Sequence, residues 1–218
     1  MKPILFNPEM VRAILDGRKT MTRRAIKPQP IEIDLSFAKN RSDVDQTKLE
    51  AYKARVAQNT KVAILRDWNQ PYRPGDILYM RETWGCYQKD WNDADRFLYR
   101  ADYSDDAKGY WHEPEHVNWC DLPRWRPSIH MPKEAARIFL RVRDVRAERL
   151  QDIKEEDAQA EGVEPMTTPN IPGRGRTYIQ GFGELWNSIN AKRGYGWAEN
   201  PWVWVIEFEQ ISKEEATK

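Results

Sequence analysis

The chain is 218 residues long, with 35 Lys and Arg against 34 Asp and Glu and a formal net charge of +1. One sizeable core fits that length without a second domain, and the charge balance excludes an overall basic nucleic-acid binder, so any polyanion site has to be local. No apolar run approaches the ~18 residues of a membrane span, MKPILFNPEM lacks the features of a signal peptide, and Cys86 and Cys120 are too few for a disulfide framework; the expectation is a cytoplasmic protein, away from membranes, with both thiols reduced.

The first predicted element is a short helix in FNPEMVRAILDG, because Asn7 suits its N-cap, Pro8 its first turn and Gly17 the residue beyond its end. Val11, Ile14 and Leu15 then fall on one face. The helix runs directly into Gly17-Arg18-Lys19-Thr20-Met21-Thr22-Arg23-Arg24, a polar and basic run without the composition of a core segment. Residues 31–60 are polar and charged, with a helix expected near 46–58, and read as an insertion. After Arg73-Pro74-Gly75-Asp76 a strand is expected from Ile77 to Glu82, central to the barrel, its start marked by the Pro-Gly pair. Residues 85–130 show few periodic apolar positions and form a second expected insertion, with one strand at Phe97-Leu98-Tyr99-Arg100.

Ala136 to Arg143 alternates apolar and basic residues as a half-buried strand does, and runs on towards Val145. Its basic face, Arg137, Arg141 and Arg143 with Arg146 and Arg149 beyond, reads equally as phosphate contacts or as the usual dressing of an exposed strand. Lys154 to Glu161 has helical composition closed by Gly162, and residues 165–175 form a Pro- and Gly-rich loop. Phe182 to Asn190 is a short helix, with Phe182, Leu185, Trp186 and Ile189 at helical spacing, and Val203 to Phe208 is a closing strand. Strands dominating the core, with short helices between, argue for an α+β barrel over residues 1–218 rather than a doubly wound sheet.

The stretch ILDGRKTMTRR resembles the signature of the ASCH family, a helix followed by Gly-x-Lys-x-x-Thr-x-Arg, with Gly17, Lys19, Thr22 and Arg24 in its positions. The resemblance extends to PGDILYMRE, to Leu150-Gln151-Asp152-Ile153 with Asp157-Ala158-Gln159-Ala160-Glu161-Gly162, and to WVWVIEF; it covers about half of the chain. The whole is similar to longer, phage- and prophage-type members, with the two insertions exceeding the minimal domain. The resemblance implies a PUA-like β-barrel with short flanking helices. It also implies an amidohydrolase that deacetylates N-acetylcytidine, with a catalytic set at Lys19, Thr22 and Glu161 and no cofactor or metal. The helix that supplies Glu161 also carries Glu155, Glu156 and Asp157.

Amide hydrolysis needs a nucleophile, a base, donors for the oxyanion and an acid for the leaving amine. A Thr hydroxyl is a weak nucleophile, and a Lys activates it only when burial or cationic neighbours lower the Lys pKa from ~10.4; Arg18, Arg23 and Arg24 are such neighbours. Thr22 is then nucleophile or water-positioning hydroxyl, Lys19 its activator, Glu161 a proton shuttle to the cytosine amine, and Arg24 an anchor or oxyanion support, with Gly17 a further substrate contact. Arg81, Glu82 and Trp84 are candidate substrate contacts, the alternatives being a surface pair within the strand and ordinary packing. Alanine at Lys19, Thr22 or Glu161 is expected to abolish turnover while leaving unfolding nearly unchanged. Two other functions fit the same residues. One is a non-catalytic binding module for RNA or other nucleic acid, using the barrel groove, the Arg-rich strand and stacked Trp residues. The other is an ASCH ribonuclease, with Lys19 and nearby Arg residues stabilising a phosphate transition state.

His112-Glu113-Pro114-Glu115-His116 has the letters of a zinc-protease motif with Cys120 beyond, but Pro114 breaks the helix such a motif requires. Gly173, Gly175, Gly181 and Gly183 follow no buried strand and are not a dinucleotide loop; they read as a flexible loop over the site.

Overall fold

The computed structural model describes residues 1–29, 70–87, 96–103, 125–166 and 175–217. The segment 31–60 with its expected helix, the His112 to His116 run, Cys120 and Gly173 lie outside the described residues. The first helix, α1 (Pro8–Leu15), forms as its sequence requires: the Asn7 side chain accepts from the Met10 amide at 2.8 Å and Gly17 ends the helix with φ of +72°. Val11 and Ile14 are buried, but Leu15 is 44% exposed and Ala13 takes the third buried position. The reason is the Gly17 turn, which folds the chain back over Ala13, whose carbonyl accepts from the Arg18 and Lys19 amides at 2.9 Å each.

The described residues contain seven strands, in chain order β1 (Lys2–Leu5), β2 (Met21–Ala25), β3 (Ile77–Arg81), β4 (Trp84–Tyr87), β5 (Arg96–Tyr99), β6 (Phe139–Arg149) and β7 (Trp202–Ile211). Five make one sheet in the order β1-β3-β6-β7-β2, parallel only between β1 and β3, while β4 and β5 form a separate antiparallel pair. The strand expected to be central, β3, is second from an edge; β6 holds the middle. β6 pairs with β7 from Phe139 opposite Ile211 to Arg149 opposite Trp202, with a register shift between Val142 and Asp144. That bulge resets which residues face the core, and it carries the strand past the Val145 where simple alternation ends.

β7 is apolar from Trp202 to Ile206 because both of its faces are covered there. Trp204, Ile206 and Phe208 pack with α1, β1 and β3 on one side. Val203 and Val205 pack on the other side with Leu150, Ile153 and Ala158, and with Phe182 and Trp186. Burial of such side chains contributes about 1.5–3 kcal/mol each. The second face is built by α2 (Glu155–Ala160) and α3 (Tyr178–Asn190); a final helix, α4 (Lys213–Ala216), follows β7. α3 starts at Tyr178, before the expected Phe182, because Thr177 caps it by accepting from the Gln180 amide at 3.2 Å. Gly181 and Gly183, expected in a covering loop, lie inside α3. A Cβ on Gly181 would collide with the Glu164 carbonyl, so close packing rather than loop freedom calls for glycine there.

The described residues thus form a mixed α+β structure with a five-stranded sheet, a two-stranded sheet and four α-helices. Among them, β1 and β2 are the two edges of the large sheet and share no backbone ladder. A side chain ties them instead, Arg24 Nη2 of β2 donating to the Leu5 carbonyl of β1 at 2.6 Å. No helix among the described residues is long and apolar enough to cross a membrane.

Candidate functional site

The chain enters β2 through Lys19, which pairs with Glu161 as an isolated antiparallel bridge, while the Thr20 amide donates to the Ala160 carbonyl at 2.9 Å. The end of α2 is thereby laid against the start of β2. Glu161 caps α2, and Gly162 turns the chain away with φ of +77°. A Cβ on Gly162 would stand 2.8 Å from the Cβ of both Ala13 and Lys19, so glycine permits the approach of the two segments.

The side chain of Lys19 has no solvent exposure, and its Nζ donates to Glu161 Oε2 at 2.7 Å and to the Glu161 carbonyl at 2.9 Å. The other carboxylate oxygen, Oε1, accepts from Arg23 Nη1 at 3.3 Å. Arg23 is equally enclosed; it donates to Asp157 at 2.9 Å and lies 3.5 Å from Glu148. Alternation along β2 sends Arg23 towards Phe182, 5.8 Å from its ring, and sends Thr22 and Arg24 to the opposite face. There Arg24 lies 5.2 Å and Lys19 Nζ 5.7 Å from the Phe6 ring. Thr22 is 2% exposed. Lys19, Thr22 and Arg23 are thus interior groups, although the basic run lacks the composition of a core segment.

Burial lowers the pKa of Lys19, with Arg24 and Arg23 adding to the effect, although the charge and hydrogen bond of Glu161 oppose it. A neutral Lys19 has two N–H bonds, matching its two acceptors on Glu161, and keeps a lone pair for a proton. Burial also lowers the pKa of Arg24, against the opposing charges of Glu161 and Tyr72. Arg24 additionally lines a cleft of about 760 Å³ with Ile4, Leu5, Lys27, Tyr72 and Trp204.

The remaining predicted contacts lie elsewhere. Gly17 is at the end of α1, with nothing within 4 Å of where a Cβ would project. Glu82, at the end of β3, is 1% exposed and accepts from Arg137 at 2.9 and 3.0 Å. Arg137 continues to Asp102 at 2.8 and 2.7 Å and stacks 3.9 Å from the Tyr99 ring. Burial raises the Glu82 pKa against the pull of Arg137. Burial disfavours the Arg137 charge, yet hydrogen bonds to Glu82 and Asp102 raise its pKa overall. Trp84 packs with Tyr79, Met131 and Phe139, and Arg81 donates to the Ile129 carbonyl at 3.2 Å. Arg81 reaches the Lys19 grouping only through its backbone, which accepts from the Phe6 amide at 3.2 Å. Arg81 and Glu82 are therefore not a pair with each other.

The basic face of β6 is also committed. Arg141 and Arg143 pair with Glu209, Arg146 with Asp144, Glu148 and Glu207, and Arg149 donates to the Asn200 carbonyl while lying 4.8 Å from the Trp202 ring. Sequence reasoning missed Glu148 and Asp157 as partners of Arg23; with Thr22, Arg23 and Arg24 consecutive, nothing in MTRRA marks Arg23 as facing away from Arg24. Among the described residues no group of three or more His, Cys, Asp or Glu is disposed to hold a metal ion. Comparison of the chain with protein-family models, curated proteins and solved structures returns no match.

Proposed function

We propose that the large sheet is a PUA-like, ASCH-type barrel in which β1 and β2 meet across the Arg24 side chain, and that the protein hydrolyses the amide of an acylated cytidine without a metal. The observation that carries this reading is the wholly enclosed Lys19–Glu161 pair. Apolar residues of similar volume are often no less stabilising than a buried ion pair, so core packing alone gives no reason for this one. Chemistry does: the lowered Lys19 pKa suits a base. In the reaction, neutral Lys19 takes the proton of the Thr22 hydroxyl, or of a water that Thr22 positions, and the oxygen attacks the acyl carbon. Arg24 supports the oxyanion and Glu161 relays the proton to the departing cytosine amine as the C–N bond breaks; where Thr22 attacks, water then cleaves the acyl–Thr22 ester, releasing the acid and restoring the hydroxyl.

The test is release of cytidine from N4-acetylcytidine, followed by chromatography, with wild type beside Lys19→Met and Thr22→Val and a thermal melt of each. Folded variants are expected to lose turnover by at least about a hundredfold, as for removal of a general base. No release by wild type, or undiminished release by both variants, sinks the reading. The cleft of Arg24, Lys27, Tyr72 and Trp204 favours, as a second reading, a binding module that holds a nucleic acid without turnover; it predicts affinity that falls steeply with salt.

A further inference from the structure

We propose that the cleft beside β1 and β2 is a phosphate subsite, so that the ligand is a cytidine nucleotide, free or within a chain, rather than a nucleoside. The inference rests on the reading of Lys19, Thr22 and Glu161 as the reacting end. Thr22 and Arg24 share a face of β2 and are separated by roughly 6.6 Å of strand. A ligand whose amide lies at Thr22 therefore extends past Arg24 into the cleft that Arg24 lines. Its volume of about 760 Å³ lies within the range of small-molecule sites. Among the described residues two cations, Arg24 and Lys27, line it and no acidic side chain does. The contrast with β6 is sharp: Arg141, Arg143 and Arg146 are all neutralised by carboxylates, whereas among the described residues neither Arg24 nor Lys27 has one within ion-pair distance. Arg24 uses one N–H on the Leu5 carbonyl and retains others of its fork. Lys27 is exposed, its Nζ 5.0 Å from the Tyr195 ring. Tyr72, its hydroxyl held by the Pro3 carbonyl at 2.8 Å, and Trp204 supply flat apolar walls for a sugar or base. A pocket whose two cations have no carboxylate paired to them among the described residues, walled by rings, selects an anion attached to a flat or apolar body, and a nucleotide phosphate is that anion.

Calorimetric titration of the full chain with cytidine, cytidine 5′-monophosphate and a cytidine trinucleotide tests this. The monophosphate is expected to bind about tenfold more tightly than cytidine, equivalent to about 1.4 kcal/mol, and added salt should erode the difference. In Lys27→Gln the advantage should fall to about twofold with cytidine affinity unchanged. A trinucleotide tighter than the monophosphate assigns the subsite to backbone phosphates, and equal affinity assigns it to a terminal phosphate; both support the proposal. Equal binding of cytidine and its monophosphate, binding of neither, or an advantage that survives both Lys27→Gln and Arg24→Gln overturns it. A phosphate preference without turnover of the N4-acetyl compounds sinks the amidohydrolase reading alone. Turnover of N4-acetylcytidine without phosphate preference sinks the subsite alone.

Discussion

Lys19 is an amine enclosed by protein, and its behaviour on titration follows from that. Its native pKa lies below the ordinary ~10.4 of the unfolded chain. Between those two values the unfolded state binds more protons than the native one, so stability rises with pH across the window. Below the window the full cost of burying the charge remains. Chemical unfolding at a series of pH values should show this rise in wild type and a flatter course in Lys19→Met; parallel curves would refute the assignment. If Lys19 is the base, turnover climbs through the same window. The enclosed pair also overturns the expectation that alanine at Lys19 leaves unfolding unchanged. Removing one partner of a buried ion pair costs about 3–5 kcal/mol, although Arg23 still attends Glu161. Urea unfolding should place Lys19→Ala in that range, with the double variant Lys19→Met/Glu161→Gln recovering part of the loss. A cost below about 1 kcal/mol, the ceiling typical of an exposed pair, would contradict the burial. The spacing of Lys19, Thr22 and Arg24 was legible in the sequence, because residues so close share local geometry. The partners of Arg23 were not: Glu148 and Asp157 come from β6 and α2, and only the fold brings them to one guanidinium.

Among elements, the helices were the more legible because their ends are written in local chemistry. Asn7 and Gly17 bracket α1, and Gly162 closes α2. The strands β1 and β2 were not anticipated. MTRRA has little intrinsic strand character and is extended because its backbone pairs with β7 from Met21 opposite Glu207 to Ala25 opposite Val203. Two glycines separate local strain from tertiary contact. Both are left-handed, Gly17 at +72° and Gly162 at +77°, but Gly17 faces open space whereas Gly162 abuts Ala13 and Lys19. Gly17→Ala should therefore cost only the backbone term, about 1–2 kcal/mol. Gly162→Ala adds a collision that pushes α2 from β2, so it should be the more destabilising in denaturant titration and should reduce turnover as Lys19 and Glu161 separate. Equal costs for the two variants would show that α2 yields without consequence.

At the scale of the whole molecule, strand order could not be read from the chain. It depends on which edges meet, and the barrel expected from the ASCH resemblance differs from an open sheet only at one seam. In the structure the Arg24–Leu5 hydrogen bond links the two edge strands, with the Phe6 ring beneath Arg24. One residue thus joins β2 to β1, lines the cleft and lies near Lys19 and Glu161. If the seam shapes the molecule, removing it should loosen the edges and spare the centre. Arg24→Met keeps a long apolar stem over Phe6 but deletes the donor, so the loss should be about 1 kcal/mol, the net worth of one hydrogen bond. Native-state hydrogen exchange localises it, since local opening reports on each element separately. The amides of β1 and β2 should exchange faster in the variant, while the β6–β7 ladder, which lies between β3 and β2 in the sheet, should slow or quicken only with global stability. Uniform acceleration across all five strands would mean that Arg24 contributes to overall stability without holding the edges together.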